Sequence, residues 1–203
     1  MKKIILVRHG ETAWNKIGRY QGQSDIPLSE TGLKQAECLA QNFIYGTPTT
    51  IYASDLTRAK TTAQKLADKF KAPLFFEPGL RELDFGEWEG LTYEAIKERW
   101  PNELETFFRA PDKMKINGGE SVAELQTRAV AALNKIIAAR PDEEIALVAH
   151  GAVLRSLVCH ALHIPLKFFW SIRQFNTAVS IFSFADCNFS VDLLNCVAHL
   201  SPK

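Results

Sequence analysis

Two apolar runs of strand type, far apart in the chain, end in the same two residues. Residues 4–7, Ile-Ile-Leu-Val, run into Arg8-His9-Gly10, and residues 145–149, Ile-Ala-Leu-Val-Ala, run into His150-Gly151. A near-continuous apolar run marks a strand covered on both faces, as in parallel sheets. Ligands of open α/β sheets bind along the edge formed by the carboxyl ends of the strands. A fold that aligns these two strands sets two imidazoles side by side on that edge. Arg8 adds a guanidinium, and so points to an anionic partner.

Periodicity fills in the rest. Residues 13–27 are rich in Gly, Asn, Gln and Asp, lack a period and read as loop. Ser29 caps a helix to about Phe43, with Leu33, Ala36, Leu39, Ala40 and Phe43 as its apolar stripe. Residues 50–53 form a short strand, and Ser54 caps a helix from residue 55 to about 70 with Ala59, Ala63, Leu66 and Phe70 inward. Pro73 ends that helix, and residues 74–76 form another strand. Ser121-Val122-Ala123-Glu124 has the form of a capping box and opens a helix carrying Leu125, Ala129, Ala132, Leu133 and Ile136. An apolar helix follows His150-Gly151 to about Leu162, and residues 179–184 and 190–194 read as a closing strand pair. The alternation predicts one domain, residues 1–203, built as a three-layer α/β/α sandwich around a mainly parallel sheet. Residues 85–119 break the rhythm and read as a small helical cap insertion, a common place for substrate contacts. Its Trp88, Trp100, Phe107 and Phe108 read as packing for the cap rather than a substrate box, and they could equally form the surface of a homodimer.

A net charge of +1 without a long basic run argues against general nucleic-acid or anionic-membrane binding. No apolar stretch is long enough for a bilayer, and the N-terminus reads as a strand rather than a signal peptide, so a cytoplasmic location is expected. The four cysteines, Cys38, Cys159, Cys187 and Cys196, form no close pair and no zinc spacing with histidine. They are expected to be reduced, mostly buried thiols, and neither a metal site nor a cofactor is expected.

The chemistry gathers at the strand ends. The strand ending at Ala53-Ser54 feeds a helix whose first turn carries Arg58. Two histidines, two arginines and a helix N-terminus suit a phosphoryl group. Residues 80–90, Leu-Arg-Glu-Leu-Asp-Phe-Gly-Glu-Trp-Glu-Gly, supply carboxylates. A histidine nucleophile needs an acid for the leaving oxygen, and Glu82 is the first candidate, with Asp84 the weaker one. Arg81 reads as a surface ion-pair partner rather than a ligand. His160, His163 and His199 lack comparable context and read as helix or tail residues.

These blocks, in this order, resemble the histidine phosphatase superfamily, also called phosphoglycerate-mutase-like. They are residues 8–12, Arg-His-Gly-Glu-Thr; Asn15 with residues 18–22; residues 25–29 with Thr31-Gly32 and Gln35-Ala36; residues 54–59, Ser-Asp-Leu-Thr-Arg-Ala; Arg81-Glu82 through Glu89-Gly90; residues 118–121; and residues 148–151. The resemblance implies that His9 is a nucleophile passing through phosphohistidine. Arg8, Arg58 and a charged His150 would then form the phosphate pocket, assisted by Asn15, Gln21 and Gly22, and Glu82 would donate the proton and later activate water. Both arginines disfavour protonation of His9, and the cations do the work that a metal ion does in kinases. The segment after Glu82 resembles the small bacterial phosphatases, with the α-ribazole phosphatases of cobalamin assembly as the nearest pattern. The resemblance implies a small phosphate ester as substrate, possible targets including α-ribazole 5′-phosphate. A cofactor-dependent phosphoglycerate mutase and a catalytically silent phosphate-binding scaffold are the alternatives.

Overall fold

The computed structural model describes residues 2–140, 144–186 and 188–201. In chain order the elements are β1 (Lys2–Arg8), α1 (Ala13–Lys16), α2 (Glu30–Gln41), β2 (Thr50–Ala53), α3 (Thr57–Phe70), β3 (Leu74–Phe76), α4 (Tyr93–Arg99), α5 (Pro101–Arg109), α6 (Val122–Ala139), β4 (Ile145–Ala149), α7 (Gly151–Ala161), β5 (Val179–Ala185) and β6 (Asn188–Cys196). The strands form a six-stranded sheet in the order β3-β2-β4-β1-β5-β6. The first four in that order pair in parallel, and β5 and β6 extend the sheet antiparallel.

Alternation along the central strands divides the core into two layers. Ile4 and Leu6 of β1, with Ile145, Leu147 and Ala149 of β4, face α6, α7 and the 85–119 segment. Ile5 and Val7, with Ala146 and Val148, face α2 and α3. Every one of these side chains is at most 3% exposed, which explains why both strands read as unbroken apolar runs. The expected three-layer α/β/α architecture is therefore the observed one. Among the described residues no helix is long and apolar enough to cross a membrane.

Several local expectations give way to tertiary context. The segment read as loop after residue 12 holds α1, closed by a capping box in which Thr12 and Asn15 exchange hydrogen bonds. Leu33 is 44% exposed, and Gly32 takes its place on the buried face of α2. The helix expected from residue 55 begins at Thr57, and Ser54 does not cap it. Its first turn is capped from outside: Asp25 accepts from the Thr57 amide at 2.6 Å and from its hydroxyl at 2.8 Å. The capping box at Ser121 and its apolar stripe are present as read. Cys159 is buried and Cys38 and Cys196 are half-buried thiols, while Cys187 lies outside the described residues.

Candidate active site

β1 and β4 are neighbours in register, with Arg8 opposite Ala149. The His9 amide donates to the Ala149 carbonyl at 3.0 Å. The two histidines that follow consequently lie side by side, with ring centroids 5.1 Å apart. Both are buried.

Their hydrogen bonds fix opposite tautomers. His9 Nδ1 lies 2.6 Å from the Gly10 carbonyl oxygen, which can only accept. Nδ1 therefore carries the hydrogen, and Nε2 keeps its lone pair toward the cavity that His9 lines. The Gly10 peptide that sets this geometry is itself anchored, its amide donating to Thr62 Oγ1 at 3.1 Å. A Cβ at Gly10 would fall 2.5 Å from the Gly32 carbonyl oxygen, a backbone atom with no room to yield. His150 is the reverse case. Its Nδ1 accepts from Arg58 Nε at 3.2 Å, so the hydrogen sits on Nε2, a buried donor without a protein partner. Burial, reinforced by the neighbouring arginines, holds both imidazoles well below the usual histidine pKa. The charged His150 expected from sequence is thus corrected: the ring is neutral, and it offers a polarised N–H rather than a net charge.

Arg58 is completely buried and bridges three elements. Besides His150, it donates to the Ser24 carbonyl at 2.8 Å and to the Gly22 carbonyl at 2.7 Å. Two of its five N–H groups remain for a ligand. The loop presenting those carbonyls is held by Glu89, which accepts from the Gln23 amide at 2.6 Å and the Ser24 amide at 2.9 Å. Gly22 has φ +52°, and a Cβ there would run into the Glu89 carboxylate. Arg8 donates to the Gln174 carbonyl at 2.6 Å, and its Nε is buried without a partner. Burial pushes the Arg8 pKa down to about 10, which leaves it cationic at neutral pH.

Glu82 occupies the N-terminus of α7. Its carboxyl accepts from the Ala152 amide at 3.0 Å and from the Leu83 amide at 2.9 Å. His150, the residue at the cap position of α7, supplies no side-chain cap, so Glu82 satisfies donors that would otherwise be orphaned. Its backbone is fixed by Arg128, which donates to the Glu82 carbonyl and to the Arg81 carbonyl, each at 2.7 Å. Asp84 instead closes a local turn, accepting from the Gly86 amide at 2.9 Å, and does not line the cavity. Arg81 pairs at the surface with Asp55 at 2.5 Å.

These groups surround a cavity of about 270 Å³ lined by Arg8, His9, Asn15, Gln21, Gly22, Arg58 and Glu82. His150 is not among the lining residues, although its chain neighbour Gly151 is, and its ring lies beside that of His9. Asn15 Oδ1 accepts from the Thr12 amide at 3.1 Å and from Asn176 Nδ2 at 3.3 Å, while Gln21 Oε1 accepts from the Thr12 hydroxyl at 2.8 Å. The cap aromatics divide. Trp88 and Phe107 are core, Trp100 packs against that core, and Phe108 is 40% exposed and lines the cavity. Sequence reasoning missed Arg155 and Trp170, which also line it. Arg155 carried a legible signal, since it follows Gly151 by one helical turn on the same face of α7. Trp170 carried none. His199, read as a tail residue, is buried, bonded to Tyr45 Oη at 2.9 Å and Thr177 Oγ1 at 3.2 Å.

Residues 4–197 match the family model of the histidine phosphatase superfamily, branch 1. The chain belongs to that superfamily. Phosphoserine phosphatase 1 of Hydrogenobacter thermophilus is 34% identical over 200 residues, covering 98% of this chain and 95% of that one. A probable phosphoglycerate mutase of Proteus mirabilis is 37% identical over 183 residues, covering 89% of this chain and 84% of that one. The solved structure of Bacillus stearothermophilus YhfR superimposes with a TM-score of 0.94 at 32% identity, covering 99% of this chain and all of that one. This protein is a phosphatase of the same superfamily.

Proposed function

We propose that the chain is a metal-independent phosphomonoesterase that works through a phosphohistidine on His9. It acts as one domain, residues 1–203, with 85–119 as its cap. The observation that carries the reading is the pair of opposite tautomers: a buried imidazole with a free Nε2 lone pair beside a second imidazole with a free Nε2–H.

In this reading the phosphoryl group of a monoester sits among Arg8, Arg58 and the Nε2–H of His150, with Asn15, Gln21 and Gly22 forming the wall. These donors counter the charge on its non-bridging oxygens. His9 Nε2 attacks phosphorus in line, forming the P–N bond as the P–O ester bond breaks. Glu82 gives its proton to the departing alkoxide. Glu82 then takes a proton from an incoming water whose oxygen attacks phosphorus. The P–N bond breaks, and phosphate and neutral His9 are regenerated. A binding scaffold needs no such nucleophile–acid pair. The identity with a phosphoserine phosphatase supports a small phosphorylated metabolite as substrate. α-Ribazole 5′-phosphate remains a candidate from the sequence pattern alone. The relative named as a probable phosphoglycerate mutase supports the second reading, in which phosphohistidine is kept from water and re-donated.

Hydrolysis of an aryl phosphate in excess chelator tests the proposal. Wild type turns over and yields an acid-labile phosphate on His9, whereas His9→Ala does neither. Equal rates in the two proteins overturn it. Bisphosphate-primed mutase turnover far above hydrolysis favours the second reading.

A further inference from the structure

One residue beside the site has a strained backbone. Thr177 has φ +56°, in the left-handed region that a β-branched side chain rarely adopts. Such a conformation persists only where its surroundings over-determine it. The Thr177 hydroxyl donates to the Asn176 carbonyl at 2.7 Å, an oxygen that can only accept. With that hydrogen spent, Oγ1 accepts from His199 Nε2 at 3.2 Å. His199 Nδ1 then accepts from the Tyr45 hydroxyl at 2.9 Å, so the imidazole is held at both nitrogens. Thr177 and His199 are buried, and the bond between them forms away from solvent.

The strained turn serves His9. The Thr177 amide donates to the His9 carbonyl at 3.2 Å, and Asn176 Nδ2 donates to the same oxygen at 3.1 Å. That carbonyl belongs to the peptide joining His9 to Gly10, whose amide donates to Thr62. The peptide is therefore gripped at both ends, and the next carbonyl along, that of Gly10, sets the His9 tautomer. Relaxing Thr177 to an ordinary negative φ redirects the chain entering β5. It takes the Thr177 amide and Asn176 away from His9.

Resting on the phosphomonoesterase reading, we infer that His199 is a positioning residue for the nucleophile: it clamps Thr177 in the strained conformation from which residues 176 and 177 hold the His9 peptide. His199 does not line the cavity and acts only through Thr177.

The test reads the rate at which saturating aryl phosphate phosphorylates His9 in a single turnover, with the half-saturating concentration alongside. Thr177→Val keeps the branched side chain but loses the clamp. Its rate is expected to fall about 10-fold, the scale of a small misplacement of a reacting atom, with half-saturation unchanged. Thr177→Gly loses the same hydroxyl yet adopts a positive φ without strain, and is expected to stay within about two-fold of wild type. His199→Leu is expected to lose about 10-fold in the wild-type background and to add no loss to Thr177→Gly. Equal rates in Thr177→Val and Thr177→Gly overturn the inference, because relief of strain then changes nothing. So does a His199→Leu loss that persists in the Thr177→Gly background, the mark of a general structural role. Either comparison decides the matter if the other variant fails to fold. Failure of the parent reading looks different: wild type then forms no phosphohistidine at all.

Discussion

His9 and His150 end adjacent strands with the same His-Gly step, yet the fold gives them opposite chemistry. His9 is locked from within its own segment, by the Gly10 carbonyl that Thr62 steadies. His150 is locked from across the sheet, by Arg58 on α3. One lock forces the hydrogen onto Nδ1 and frees a lone pair; the other fills Nδ1 and frees a hydrogen. Burial holds both rings well below the usual histidine pKa, so the proposed division into nucleophile and donor rests on which neighbour reaches Nδ1. A motif repeated in sequence is thus not a role repeated in structure.

The sharpest break in the comparison is removal of each ring. His9→Ala is expected to lower kcat on an aryl phosphate by about 10⁴-fold or more, the loss of a nucleophile. His150→Ala is expected to cost about 10²- to 10³-fold, the loss of one preorganised donor, while phosphate still becomes bound to His9. Similar losses in the two variants, without trapped phosphohistidine in the second, would erase the assigned division of labour.

The neutral state can be tested through stability. His9, His150 and His199 are all held below the ordinary histidine value, His199 at about 4 through burial. Below about pH 6.5 the unfolded chain binds protons that the folded chain refuses, so stability falls as pH drops. The slope reaches about 1.4 kcal/mol per pH unit for each such histidine, and their contribution is flat above about pH 7.5. Urea midpoints measured across that range check the sign. Insensitivity to acid would mean that the rings are charged in the fold. Imidazole nitrogen NMR then separates the pair, with the hydrogen on Nδ1 in His9 and on Nε2 in His150.

A smaller effect touches the helix behind both locks, since α3 carries Arg58 and Thr62. Asp25→Ala removes the cap of the helix that carries Arg58 and is expected to cost about 1 kcal/mol, read as a lower melting temperature. Its effect on turnover should reach both histidines, because Thr62, which steadies the Gly10 peptide, lies on the same helix as Arg58.

The fold class and most of the candidate cavity residues were legible in the chain because burial on both faces leaves an unbroken apolar run, and the two runs here end in the histidines that the fold sets side by side. Helix caps were legible where they are local, as at Ser29 and Ser121, and misread where the cap comes from afar, as at Thr57. Leu33 was misplaced because a stripe drawn on one helix does not reveal which edge meets the sheet. Arg155, one turn of α7 after Gly151, was legible though outside the expected set, while Trp170, over whose ring it lies, carries no local signal.

By itself the sequence determined the strands, their order of appearance and the residue types waiting at their ends. Tertiary structure alone decided what those residues are. A tautomer, a free lone pair or an unpartnered guanidinium depends on which acceptor or donor arrives from elsewhere in the chain, and that is a property of register and packing rather than of spacing.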